Sequence, residues 1–345
     1  MVLERGRDRT EAARTRKFHM TGGNVTFLSG GTGTPKLLDG LKVAEVETDE
    51  VSVVVNTGDD IEISGNLVCP DVDTVLYTLS GRIDRKRWWG IEDDTHETHE
   101  LLASEGQRIE RVESSRRLGE GRAFSGEGEF MLIGDKDRAT HVLRTSWLDS
   151  GETLTEATRR LADRMEIDDS YDVFPVSDDP VQTWIETPDG YEHFQVWWVA
   201  RGGEPEVRDV EFRGAEEAKA TENVLKALDS PVIIGPSNPV TSLGPILSVD
   251  GVRDALGETR VVAVSPFVGG DVVSGPAAKL MLSVGLPASS RGVYEAYSDF
   301  LDVLVVDGEK PELEDTDCRI VKEDTHIEGR EDAAHLVERV LELAR

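Results

Sequence analysis

Five short runs of β-branched residues limit what this chain can fold into: Val25-Thr26-Phe27-Leu28, Val51-Ser52-Val53-Val54-Val55, Val232-Ile233-Ile234, Val261-Val262-Ala263-Val264 and Val303-Leu304-Val305-Val306. Each is close to continuously apolar, the pattern of a strand covered on both faces and therefore of a parallel sheet. Each also runs into a polar loop. Helical patterns at 35–42, 215–228, 276–284 and 330–343 alternate with these runs at both ends of the chain. The expected fold is α/β, a doubly wound, mainly parallel, Rossmann-like three-layer sheet. The middle, about 80–215, departs from this alternation. It has a helical stretch at 154–165 and aromatic-rich candidate strands at 182–186 and 193–199, and reads as an inserted α+β region of one domain spanning 23–345. Residues 1–22 are basic, lack the apolar segment of a secretory signal, and are expected to form a disordered extension with Met20 as an alternative start.

Charge narrows the partners. The 345 residues include 68 acidic and 38 basic ones, a formal net charge of −30. Such a chain repels phosphate backbones and anionic lipid, which argues against nucleic acid or membrane as a main partner. The acid is scattered, as at Glu92-Asp93-Asp94, so the expected surface is halophilic, with concentrated salt screening the self-repulsion. No run approaches the roughly 18 apolar residues of a membrane span. Two distant cysteines, Cys69 and Cys318, argue for a reducing, cytoplasmic setting and against disulfides or a zinc site.

Three glycine-containing loops follow three of the strands. Ser29-Gly30-Gly31-Thr32-Gly33-Thr34-Pro35-Lys36 opens a helix and reads as a phosphate cradle, with Gly31, Thr32, Gly33, Thr34 and Lys36 as anion contacts. It is neither a dinucleotide fingerprint, which would need glycine at Lys36, nor a Walker loop, which would need it at Pro35. Gly235-Pro236-Ser237-Asn238 offers Ser237 and Asn238 to a nucleotide, and the loop ahead of Ala277-Ala278-Lys279 offers Lys279 as a further anion contact. After the second strand comes Asn56-Thr57-Gly58-Asp59-Asp60. Adjacent carboxylates beside a phosphate cradle would repel the substrate unless a hard divalent cation lay between, so Asp59 and Asp60 are expected to hold Mg²⁺ and to be catalytic through it. One aspartate of Asp71-Val72-Asp73 could serve only as a helix cap. For the titratable run 134–141, an ion-pair network and catalysis are equally good readings, and His141 and His193 read as structural.

In order and spacing these motifs, together with Ser64-Gly65-Asn66, Pro70–Thr74, Arg85–Gly90 and Ser177–Pro180, resemble the 2-phospho-L-lactate transferases. The resemblance runs from about Gly23 to Glu309. It implies an enzyme of coenzyme F420 biosynthesis that uses Mg²⁺ and two small-molecule substrates. The donor would be lactyl-2-diphospho-5′-guanosine or its enolpyruvyl counterpart. The acceptor would be the deazaflavin Fo, whose terminal hydroxyl attacks the phosphorus bearing the lactyl group and releases GMP. The resemblance further implies that Fo is bound at Asp73 and at a position occupied here by Leu132, where family members often carry a basic residue. A nucleotide-sugar-binding regulator of the same superfamily is the rival reading. Oligomeric state is open, with a homodimer as one expectation.

Overall fold

The computed structural model describes residues 23–44, 48–104, 108–115, 119–127, 130–272, 275–308, 310–313 and 316–345; the N-terminal extension expected to be disordered lies outside them. All five apolar runs are strands of one seven-stranded parallel sheet. We label its members β1 (Val25–Ser29), β2 (Val51–Val55), β3 (Tyr171–Pro175), β4 (Val232–Ile234), β5 (Val261–Val264), β6 (Val303–Val306) and β7 (Arg319–Lys322). Their spatial order is β7-β6-β5-β4-β1-β2-β3.

Two cores follow from the period-2 alternation of strand side chains. Phe27, Val53, Val55, Ile233, Val262 and Val303 face one way, against helices α1 (Gly33–Leu41), α2 (Pro70–Leu79) and α5 (Arg330–Ala344). Leu28, Val54, Val232, Ile234, Ala263 and Leu304 face the other way, against the helices at Glu222–Ala227, Val252–Glu258, Ala277–Ser283 and Ser290–Tyr297. This is the three-layer arrangement expected from the sequence. The chain builds β1, β2 and β3 outward in one direction and β4 to β7 in the other. Strand order therefore switches between β1 and β4, and the crevice at their carboxyl ends is where such folds bind ligands.

The middle of the chain differs from expectation in three ways. The stretch 80–215 is not wholly outside the sheet, because β3 comes from it and pairs with β2. It also supplies α3 (Asp135–Asp149) and α4 (Leu154–Arg164), and a three-stranded antiparallel sheet of Gln182–Thr187, Gly190–His193 and Asp209–Arg213. The expected strand at 193–199 stops at His193 and turns into a π-helical turn, Val196–Ala200. There Phe194 packs on Trp197, ring centroids 6.0 Å apart, a same-side contact at three-residue spacing that an alternating strand cannot make. The helix expected over 215–228 is confined to Glu222–Ala227, because the Thr221 hydroxyl accepts from the Val224 N–H and caps it there.

Candidate active site

At the switch point lies a cavity of about 640 Å³, lined by residues of all three glycine loops. The first loop comes in close. Gly31 has φ +62°, a left-handed conformation that favours glycine, and a Cβ on Gly33 would sit 2.1 Å from the Pro236 carbonyl oxygen. Glycine at these places lets the turn ahead of α1 lie flat on the loop after β4. Gly31, Thr32, Gly33 and Lys36 line the cavity beside Ser237 and Asn238. Lys36 is half-buried, which lowers its pKa, and its Nζ lies 5.6 Å from the Trp88 ring centroid.

Two carboxylates face this loop. Asp71, in the first turn of α2, accepts from the Gly31 N–H (2.9 Å) and from the Asn56 amide (2.8 Å). Burial pushes its pKa up to about 6 against those two hydrogen bonds. Asp59 accepts from the Gln195 amide at 3.2 Å, and its Oδ1 is buried without a hydrogen-bond partner. Burial, then the charges of Asp71 and Asp60, raise it well above the usual carboxylate range. Hard oxygen donors, one of them unmatched, opposite a phosphate-type loop fit a divalent cation that also takes substrate phosphate oxygens.

The opposite wall is an ionic array between α2 and α3. Arg144 grips Asp73 with its two terminal guanidinium nitrogens, one of them 3.1 Å from Oδ2. His141 Nε2 lies 3.1 Å from Asp73 Oδ2 and 3.2 Å from Asp137 Oδ1, which also accepts from the Tyr77 hydroxyl at 2.7 Å. Burial would raise Asp73, but Arg144 and His141 outweigh it and hold the carboxyl at about 2. Burial would likewise lower His141, yet Asp137 and Asp73 lift it to about 9, which favours the imidazolium form. Trp89, Leu132, Trp198 and Val199 form a partly exposed apolar rim.

The structure thus brings Gly31, Thr32, Gly33, Lys36, Asp59, Asp73, Leu132, Ser237 and Asn238 to one cavity, and leaves three expected site residues elsewhere. Thr34 is buried, its hydroxyl donating to the Leu28 carbonyl, so it ties the loop back to β1. Lys279 spends its ammonium on the carbonyls of Gly203, Glu204 and Pro205 at 2.7, 3.1 and 2.8 Å. Asp60, beside Asp59 in sequence, is absent from this cavity and lines a separate one of about 220 Å³ with Thr57, Glu152, Asp178 and Asp179. Asp71 stands where a second cation ligand was expected. Its motif had been singled out by sequence, though not its role. Asp137, His141 and Arg144 carry an i, i+4, i+7 helical spacing that could have marked them. For Gln195 and Trp198 no local signal existed.

The sequence profile of the 2-phospho-L-lactate transferase CofD family matches residues 25–341. The chain belongs to that family. It is 52% identical to the 2-phospho-L-lactate transferase of Haloarcula marismortui, over 93% of this chain and 98% of that one. With the Halobacterium salinarum transferase it shares 49% over 90% and 94%, and with that of Methanosarcina acetivorans 47% over 92% and 98%. Among solved structures, a UPF0052-family protein from Bacillus halodurans has the same fold, with a TM-score of 0.57 at 17% identity, covering 93% of this chain and 99% of that one. The α/β architecture of this CofD-family member is therefore shared well beyond its close relatives. Among its described residues, no helix is long and apolar enough to cross a membrane.

Proposed function

We propose that this chain transfers a phospholactyl or phosphoenolpyruvyl group from lactyl-2-diphospho-5′-guanosine, or its enolpyruvyl counterpart, to the terminal hydroxyl of Fo. The hydroxyl oxygen attacks the phosphorus bearing the acyl-derived group, the bond to the GMP oxygen breaks, and the hydroxyl proton is released. The product is the phosphodiester of coenzyme F420-0. The observation that carries this reading is the cavity of a CofD-family member with an anion-accepting backbone loop facing Asp59 and Asp71. Phosphoryl-type transfer asks chiefly for in-line placement and charge neutralisation, and this wall is suited to both.

Gly31, Gly33 and Lys36 would receive the donor phosphates, with Ser237 and Asn238 beside the nucleotide. Asp59 and Asp71 would hold Mg²⁺, which when bound neutralises the donor phosphates and the charge on the departing GMP. Fo would take the side of Asp73, its ring system against Trp89, Leu132 and Trp198, in a cytoplasmic setting. Incubation of the purified chain with Fo, Mg²⁺ and each donor, with mass detection of the phosphodiester, tests the reading. Absence of product with both donors would sink it, and a tight complex with a nucleotide sugar instead would favour a regulator.

A further inference from the structure

Asp73, Tyr77, Asp137 and His141 line the cavity, with Arg144 fully buried beside them, yet such an array is unnecessary for joining α2 to α3. Buried ion pairs hold helices together no better than apolar side chains of similar volume. The geometry is nonetheless specific. Asp137, His141 and Arg144 recur at i, i+4 and i+7 on one face of α3, and Asp73 and Tyr77 at i, i+4 on the facing side of α2. The register of α3 is pinned at its start, where the N–H groups of Lys136 and Asp137 both donate to Asp94. Two cations and two carboxylates balance. Arg144 occupies both oxygens of Asp73, and His141 bridges from Asp73 to Asp137.

We propose that His141 is a positioning residue: as an imidazolium between Asp73 and Asp137, it fixes the Asp73 carboxylate in the orientation that receives the acceptor hydroxyl. This rests on the acceptor-side reading of Asp73 above. His141 touches no reacting atom. It adds a second anchor on Asp73 Oδ2, so that α3 holds the carboxylate at two places, through Arg144 and through His141. Asp60, Cys69 and Tyr77 are further ionisable groups whose charges act on Arg144 or Asp73, and Tyr77 donates to the far carboxylate, Asp137.

The test uses His141→Gln, whose amide keeps two N–H donors at the same reach while removing the charge, and Asp73→Asn. Steady-state kinetics are measured at saturating donor and at saturating Fo, with Fo affinity from its fluorescence. His141→Gln is expected to raise the KM for Fo about tenfold with the donor KM unchanged, the difference between charged and neutral hydrogen bonding. Asp73→Asn should do so at least as strongly. If Asp73→Asn leaves the KM for Fo unchanged, the acceptor-side reading fails. If Asp73→Asn raises it and His141→Gln does not, the reading stands and the positioning role is overturned. Should His141→Gln fail to fold, Asp137→Asn removes the far end of the bridge without touching Asp73. That variant must then raise the KM for Fo selectively, and a parallel rise in both KM values overturns the proposal. So does a stoichiometric transition metal, found by elemental analysis of the wild-type protein and lost in His141→Gln.

Discussion

The two walls of the cavity are made of different material. On the side of β1 and β4 the groups on offer are backbone N–H donors, a helix terminus and small polar side chains, with Lys36 as the one ammonium lining it among the described residues. On the side of α2 and α3 they are side chains already tied to one another by charge. Asp59 and Asp71 lie between the two walls, their pKa values raised by burial, whereas Asp73 is held low by its cations. A backbone wall is generic for anions and gains its selectivity from what is bound with them. A pre-paired ionic wall is rigid before any ligand arrives and suits a neutral, hydrogen-bonding group. The contrast teaches that two carboxylates only two residues apart, Asp71 and Asp73, can sit in opposite electrostatic settings.

The largest effect should come from Asp59. Asp59→Asn keeps the shape and removes the charge, and losing one strong electrostatic contact costs about 2.7–4 kcal/mol, or two to three decades in turnover at limiting Mg²⁺. Asp60→Asn should be nearly silent in the same assay. Asp60 lines a separate cavity from the one that holds Asp59 and Asp71, so its charge is not presented to the donor site. Equal losses in both variants would erase the distinction drawn between them.

A second way to break the comparison uses pH. Asp71 is raised from 3.8 to about 6, so the apo protein loses stability as pH rises through that range and the carboxylate becomes free to bind a cation. The gain in unfolding temperature given by Mg²⁺ should be large well above 6 and fade as pH falls through it. A gain independent of pH would remove Asp71 from the cation site.

The opposite wall should respond in another window. His141 is raised from 6.5 to about 9, so its contribution to stability is fully present below the first value and is lost as pH rises through the second. Urea midpoints across that range should fall in the wild type and stay flatter in His141→Gln. Identical slopes would mean the imidazole is not charged in the folded state.

Lys279→Met should have the smallest effect on activity. With its ammonium on three carbonyls, its loss should cost about 1–2 kcal/mol of stability and leave the donor KM unchanged. A clear rise in donor KM would return Lys279 to the anion site.

How much of this was legible beforehand depended on whether a residue's role was local. The five apolar strands were readable because burial on both faces leaves a continuous β-branched run. β3 was not. Tyr171-Asp172-Val173-Phe174-Pro175 mixes a charge and a proline into the strand, as an edge strand permits but a central one does not. The glycine loops were readable because their backbone chemistry travels with their sequence. Which polar side chains in them face the ligand was not readable. Thr34 turns back to the strand it has just left, and Asp59 and Asp60 line different cavities. The α2–α3 array is tertiary throughout, and only the spacing on α3 hinted at it.

The placement of β1 between β2 and β4 also governs how this protein can come into being. Thr26 is paired on one side with Ser52 and on the other with Val232, and α5, from Arg330 onward, closes over α1, where Ala333 abuts Gly40. During translation, β1 must wait for its second neighbour until β4, at Val232–Ile234, has emerged. The layer that buries Phe27 and Leu37 is complete only once α5 has been made. Topologies dominated by such distant pairings fold slowly and leave apolar surface open meanwhile. The acidic surface, which keeps like chains apart, would be protective over that interval.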